Sequence, residues 1–143
     1  MPRINFFEED THIKLKNKNG LKAWIKDTIK AEGYTLNELN YIFCSDEYLL
    51  QINQQYLNHD TYTDIVTFDN SEIEKEIAGD IFISIDRINE NAEKFVTGLV
   101  NELHRVIIHG ALHLLGYTDK KAGSKKIMTA KEDFYLGKRN FTF

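Results

Sequence analysis

The stretch Val106-Ile-Ile-His-Gly-Ala-Leu-His-Leu-Leu-Gly-Tyr-Thr-Asp119 combines an apolar helical pattern with three side chains that commonly bind metals. His109 and His113 are four residues apart, so on a helix they lie on neighbouring turns of one face and both imidazoles can reach one ion. Gly116 is typical of the left-handed residue that ends a helix and turns the chain back toward its last turns. The spacing therefore predicts that Asp119, three residues further on, joins the histidines as a third ligand.

A set of two histidines and one aspartate predicts a catalytic rather than a structural zinc site. Three protein ligands leave the fourth position of zinc open for water. The alternative is a pair of surface histidines whose spacing is accidental. That alternative is disfavoured because both lie within the apolar run 103–115, where unpaired imidazoles are costly to bury. Zinc is the expected cofactor, and nickel, cobalt or manganese would fit the same ligands.

The composition predicts one compact domain that spans residues 1–143. The 143 residues are 42% hydrophobic and 12% aromatic, which is enough to build a core, and one proline and eight glycines leave no linker-rich segment. A single cysteine, Cys44, excludes a disulfide within the chain and fits a reducing cytosol. The sequence shows no signal peptide and no membrane span, so we expect a cytoplasmic protein without membrane contact.

The distribution of charge leaves the question of nucleic-acid binding open. A net charge of −4 disfavours a protein that grips phosphates non-specifically, because such proteins usually carry a basic excess. Basic residues nevertheless cluster just after the metal motif, at Lys120, Lys121, Lys125 and Lys126. These lysines form either a solvated helix face or an RNA-facing rim.

Hydrophobic periodicity predicts strands and helices that do not alternate strictly. Strands are expected at 4–7, 38–44, 64–68 and 80–85, the last two paired through a loop. Helices are expected at 21–31, 45–56, 86–95, 97–115 and 124–136, with Ser45 and Asp86 as caps. This order predicts an α+β fold in which a small mixed β-sheet packs against several helices, with the motif helix at the centre.

Other titratable residues and one glycine bear on the chemistry. Glu102 precedes His109 by two helical turns, so it could orient an imidazole or accept a proton, but acids also favour the first turn of a helix and that interpretation is preferred. His104 lies off the helix face that carries His109 and His113, and His12 and His59 are expected to face solvent. Gly110 occupies the position where His-Glu-x-x-His peptidases carry their general base, which disfavours a peptidase.

Beyond this spacing, the residues resemble a known family. The segment His109-Gly-Ala-Leu-His-Leu-Leu-Gly-Tyr117 is similar to the signature of the bacterial YbeY proteins. Four further segments are similar to that family, so the resemblance runs from about residue 46 to residue 136: Tyr62-Thr-Asp-Ile-Val-Thr-Phe68, Gly79-Asp-Ile81, Ile52-Asn-x-x-Tyr56 and Met128-x-x-x-Glu132. The resemblance implies an α+β fold, a zinc ion held by three side chains, and a cleft between the zinc helix and the sheet.

The resemblance also implies a function. It is that of a cytoplasmic, single-strand-specific, zinc-dependent endoribonuclease that uses a zinc-bound water in maturation of the 3′ end of small-subunit ribosomal RNA and in ribosome quality control. The implied partners are ribosomal RNA, the small ribosomal subunit and other ribosome-associated proteins. The alternative is a non-catalytic ribosome assembly factor that zinc stabilises. No catalytic residue is identified, and Glu102, Asp64 and Asp80 are candidates for the general base.

The chain departs from the family pattern at four positions. Asp119 stands in place of a histidine, Thr118 in place of an aspartate and Tyr62 in place of a proline. Leu57 stands where the family has an arginine, a residue suited to clamp a phosphate in the transition state. This absence and the acidic net charge favour the non-catalytic alternative, and Lys131 is a candidate replacement for the arginine.

Overall fold

The computed structural model describes residues 2–57, 63–96 and 98–143, so the expectations for His59 and Tyr62 lie outside the described residues. The elements follow one another as β1 (Arg3–Glu8), α1 (Lys18–Ala31), β2 (Thr35–Cys44), α2 (Asp46–Tyr56), β3 (Ile65–Asp69), β4 (Glu76–Ser84), α3 (Ile85–Phe95), α4 (Leu99–Leu114) and α5 (Ala122–Leu136). The α+β prediction is confirmed. Among the described residues, no helix is both long and apolar enough to span a membrane.

The four strands form one mixed sheet in the order β1-β2-β4-β3. Strands β1 and β4 both pair with β2 in parallel, and β3 pairs with β4 in antiparallel. Parallel neighbours need a crossover, and α1 supplies it between β1 and β2. The predicted pairing of the third and fourth strands is confirmed by the register, in which Ile65 lies opposite Ile83.

Helix α4 lies at the centre of the packing, because it contacts β3, β4, α1, α3 and α5. Its buried side chains join the main core, which includes Leu21, Phe43, Ile81, Ile107 and Ile108. The Tyr41 hydroxyl donates a 2.9 Å hydrogen bond to the Ile107 carbonyl and ties the helix to β2. A smaller cluster, which includes Cys44, Leu49 and Val66, fills the opposite side of the sheet beneath α2. The apolar character of α4 therefore follows from its burial.

Gly110 marks a close approach of α4 to the sheet. A Cβ atom at this position would lie 2.9 Å from both the Ile65 Cδ1 and the Ile81 Cγ2 atoms. Real Cβ atoms do not come that close to other heavy atoms, so a larger residue would require either the Ile65 and Ile81 side chains or the helix itself to shift. The glycine between the two histidines thus allows the short distance between α4 and the sheet.

The junction between β4 and α3 differs from the sequence prediction. β4 begins at Glu76 rather than at residue 80, and α3 follows it without a loop. Ser84 therefore caps α3, and its hydroxyl accepts a 3.3 Å hydrogen bond from the Arg87 amide. The prediction of Asp86 as the cap is wrong, because its carboxylate instead accepts from the Asp46 amide at 2.9 Å. The predicted cap of α2, Ser45, is confirmed.

Candidate metal centre

The end of α4 and the loop that follows it bring His109, His113 and Asp119 together. The two histidine Nε2 atoms are 2.9 Å apart, and the Asp119 Oδ2 atom lies 3.4 Å from His109 Nε2 and 3.8 Å from His113 Nε2. Gly116 has a φ of 103°, and its amide donates to the His113 carbonyl at 3.0 Å as the chain leaves the helix. The turn expected at this glycine carries Asp119 back to the histidines.

These three donor atoms have the spacing that one small metal ion requires. A tetrahedral zinc ion with bonds of about 2.0–2.1 Å holds its ligand atoms roughly 3.3 Å apart. The observed separations of 2.9, 3.4 and 3.8 Å fall on both sides of that value. The His109 and His113 side chains are mostly buried, whereas the Asp119 side chain is 40% exposed. The cluster could therefore hold a metal ion.

Glu132 is a functional candidate that the sequence analysis did not assign to the site. Its side chain lies on α5, is almost fully buried, and its Oε2 atom lies 2.5 Å from His109 Nδ1. A carboxylate at this ring nitrogen keeps a proton on Nδ1 and leaves the Nε2 lone pair free for a metal. One sequence feature could have identified Glu132. It follows Met128 by four residues, so both side chains lie on the buried face of the same helix.

Arg105 holds the Glu132 carboxylate in place. Its guanidinium lies 2.8 Å from Glu132 Oε1 and 2.6 Å from Asp133 Oδ1. Charge-assisted hydrogen bonds of this length fix the orientation of both partners. The chain of contacts from Arg105 through Glu132 to His109 therefore orients the first histidine of the cluster.

The surroundings shift the pKa values of the two histidines in opposite directions. Burial by itself lowers the pKa of His109, but the hydrogen bond and charge of Glu132 outweigh it and raise the pKa overall. Burial, followed by the neighbouring His109, lowers the pKa of His113, which also hydrogen-bonds the Tyr117 backbone. A proton shared by the pair therefore favours His109 over His113.

A cavity of about 510 Å³ opens beside His109 and Asp119. The resemblance implied a cleft between the zinc helix and the sheet, but this cavity lies mainly between helices α3, α4 and α5. Its walls include Asp64, Phe95, Glu102, Arg105, Lys125 and Glu132. The volume is within the range of about 300–1,000 Å³ that small-molecule sites occupy. The cluster therefore faces a space that can admit part of a substrate.

The three candidates for a general base are placed differently. Asp64 and Glu102 both line the cavity, and Glu102 is buried in the first turn of α4. Asp80 lies on the face of the sheet away from α4, where its carboxylate accepts from Asn40 at 3.0 Å and from Asn70 at 3.4 Å. The alternation of side chains along β4 turns Ile81 toward the core and Asp80 away from it. Asp80 is therefore excluded as the base.

Lys131 does not face the cavity. Its ammonium lies 3.1 Å from the Glu32 carboxylate, which also accepts hydrogen bonds from the hydroxyls of Tyr117 and Tyr135. These contacts hold α5 and the loop after α4 against the end of α1. The lysine of α5 that lines the cavity is Lys125.

His12 and His104 lie outside the cluster, as predicted. The His12 side chain is fully exposed. His104 is buried against Trp24, Phe141 and Phe143, and its Nδ1 atom accepts a 2.9 Å hydrogen bond from Arg139. Burial first, and the Arg139 charge second, lower the pKa of His104 to about 4.

The low pKa of His104 makes stability depend on pH. Between about pH 6.5 and 4 the unfolded chain binds a proton at His104 that the folded chain does not bind, so the free energy of unfolding falls as the pH falls through this window. We expect His104→Gln to reduce this loss, by about 3 kcal/mol at most. Denaturant titrations at a series of pH values would measure it. His12→Gln serves as the exposed control, and parallel profiles for wild type and His104→Gln would contradict the prediction.

Glu132→Gln is expected to weaken metal binding without unfolding the chain. The amide keeps the size of the carboxylate but loses the charge that fixes the His109 tautomer, so we expect a metal affinity about 10- to 100-fold lower. Competition with a chromogenic chelator would measure the affinity. The control is Asp133→Asn, which alters the same Arg105 contact but does not touch His109. Equal affinities in both variants would mean that Glu132 does not orient the ligand.

The fold and the site define an α+β protein with a candidate mononuclear metal centre in a cavity between helices. The sequence model of the family described as Endoribonuclease YbeY matches residues 3–140. The chain belongs to this family, and the resemblance stated from its motifs is confirmed.

Individual relatives agree with this assignment. The chain is 54% identical over 138 residues to a Cytophaga hutchinsonii protein named Endoribonuclease YbeY, and the match covers 96% of each chain. A Karelsulcia muelleri protein of the same name is 51% identical over 133 residues, with 93% of each chain covered. The solution structure of TM1509 from Thermotoga maritima matches with a TM-score of 0.64 and 29% identity, over 94% of this chain and 87% of that one.

Proposed function

We propose that the chain is a metal-dependent endoribonuclease that acts on ribosomal RNA. The observation that carries the proposal is the convergence of His109, His113 and Asp119 beside a cavity, in a chain whose relatives are named as endoribonucleases. We also propose zinc as the metal, one domain over residues 1–143, a cytoplasmic location and the small ribosomal subunit as partner. The single-strand preference and the roles in 3′-end maturation and ribosome quality control belong to this proposal.

Zinc at this cluster would supply a bound water of lowered pKa, near 7, and a Lewis acid for a phosphoryl oxygen. The side chains of the protein carry the other roles. His109 and His113 present Nε2 atoms, and Glu132 keeps the His109 tautomer that allows this. Asp64 and Glu102 are the carboxylates of the cavity wall that can accept a proton. Arg105 is a guanidinium on the same wall that a phosphate could approach.

The test compares RNA cleavage before and after removal of the metal. Purified chain is incubated with an RNA that contains the 3′ end of the small-subunit ribosomal RNA, then treated with a chelator and reloaded with zinc, manganese or nickel. We expect cleavage to disappear with the metal and to return best with zinc. Asp119→Asn should lose both metal and cleavage, whereas Asp69→Asn, which alters an exposed aspartate at the end of β3, should keep both. Cleavage that survives both chelation and Asp119→Asn would refute the proposal.

A non-catalytic assembly factor stabilised by zinc is the second candidate. Leu57 favours it, because the residue that follows α2 is an exposed leucine where the family has its arginine. This candidate requires that chelation lower the melting temperature sharply, since structural zinc contributes directly to folding. It also requires binding to the small subunit without RNA cleavage. Unchanged stability of the chelated chain would count against it.

A further inference from the structure

Phe95 places an exposed aromatic ring at the mouth of the cavity. It is the last residue of α3, it lines the same cavity as His109 and Asp119, and it is 58% exposed. The chain continues through Val96, Leu99 and Val100, which are exposed as well. Large aromatic side chains bury about 150–250 Å² in a core or interface. An exposed aromatic side chain at the edge of a candidate site therefore indicates a surface that binds a ligand.

Lys125 lies on the α5 wall of the same cavity. It is exposed, and within the described residues no ion pair involves its ammonium, whereas Arg105 is already paired with Glu132 and Asp133. A second cation, Lys94, sits 5.4 Å from the centre of the Phe95 ring. Near the cavity an aromatic face is thus combined with two lysines, while the acids Asp64, Glu102, Asp119 and Glu132 also line the cavity.

We propose that Phe95 stacks against an unpaired nucleobase of the RNA and that Lys125 contacts the adjoining phosphate. This inference rests on the proposed function and identifies residues that select the substrate. Every nucleobase offers a flat face to an aromatic ring, whereas in a duplex those faces are already stacked and out of reach. Phe95 therefore admits single-stranded segments beside the metal cluster and disfavours paired ones.

A docked protein would be the other occupant of such an apolar surface. Two observations favour RNA over a protein. Phe95 is continuous with the cavity that holds the candidate metal ligands, and two lysines lie near it, Lys94 beside its ring and Lys125 on the α5 wall of the cavity. The combination of stacking surfaces and a cationic groove is the general basis of single-strand binding.

The experiment measures RNA binding separately from cleavage. Fluorescence anisotropy of a short labelled single-stranded RNA with a cleavage-resistant backbone gives Kd for the metal-loaded chain, and a gel verifies that the RNA stays intact. We expect Phe95→Ala to raise Kd about 10-fold or more and Phe95→Trp to retain affinity. Replacing successive bases by abasic sites should reveal one position at which Phe95→Ala has no further effect. A duplex of the same sequence should bind weakly to both wild type and variant.

Matched controls isolate the two contacts. Phe134 is 53% exposed on α5 but lies outside this cavity, so Phe134→Ala should leave Kd unchanged. Lys125→Ala should lower the slope of log Kd against log salt by about 0.7, the value for one lost phosphate contact on a single strand. Phe95→Ala should leave that slope unchanged, because it removes no charge. Lys126→Ala is the control for Lys125→Ala, because Lys126 is exposed but is not part of the cavity wall.

The outcomes separate this inference from the proposed function. Unchanged affinity in Phe95→Ala would overturn the stacking role and mark the apolar rim as a protein-docking surface, whether or not Asp119→Asn still abolishes cleavage. An equal loss in Phe134→Ala would also overturn it. If the wild-type chain binds RNA through Phe95 but never cleaves it, the stacking role stands and the endoribonuclease proposal fails.

Discussion

His113→Ala is expected to remove most of the bound metal and to slow RNA cleavage by about 1,000-fold or more. Two ligands hold a zinc ion far less firmly than three, and the several kcal/mol that a metal contributes to the transition state correspond to at least that factor. Elemental analysis by mass spectrometry and the initial rate of cleavage of a fluorogenic RNA would measure the two effects on the same preparation.

The fold should survive this substitution. His113 is near the end of α4 and its side chain is 24% exposed, so truncation leaves a shallow depression open to water and no closed cavity. Circular dichroism of the variant should match the wild type, and His12→Ala should behave as wild type in every assay because His12 is fully exposed. Full cleavage by His113→Ala would point to a contaminating nuclease or to a site elsewhere on the chain.

Ile107→Ala should produce a large loss of stability, because it truncates a side chain of α4 in the core. Ile107 is fully buried in the main core. Truncation removes buried apolar surface and leaves a cavity, so we expect the free energy of unfolding to fall by about 2–5 kcal/mol. For a chain of this size the melting temperature should drop by roughly 5–15 °C. Urea titration and thermal melts would measure both values.

Two matched variants test whether burial is the cause. Ile107→Val removes one methylene and should cost about 0.5–1.5 kcal/mol. Ile127→Ala makes the same change as Ile107→Ala on α5, where the side chain is 54% exposed, and should alter stability by no more than about 0.5 kcal/mol. Similar losses at positions 107 and 127 would contradict the placement of α4 in the core.

The grouping of His109, His113 and Asp119 could be predicted because it depends on local structure alone. The two histidines share one helix face, and Gly116 supplies the turn that returns Asp119 to them. The order and type of most elements could be read from periodicity for the same reason. Predictions of this kind use only the geometry of a short segment.

The residues around the cluster could not be predicted, because they come from distant parts of the chain. Glu132 reaches His109 only because α5 packs against α4, and Phe95 and Lys125 line one cavity only because α3 and α5 both pack against α4. The position of Asp80, one of three candidates for the general base, could not be predicted for a related reason. Its alternation along β4 was readable, but which face of the sheet α4 covers depends on the whole fold.

Gly110 has a consequence for how the chemistry of such a centre can be changed. The position after His109 points at β3 and β4 with no room for a side chain, so the ligand helix cannot also carry a proton-transfer residue there. Helix α4 and the loop after it supply the three candidate ligands, and the neighbouring helices supply other groups that line the cavity. A protein engineer seeking a new reaction would leave α4 intact and redesign the facing surfaces of α3 and α5.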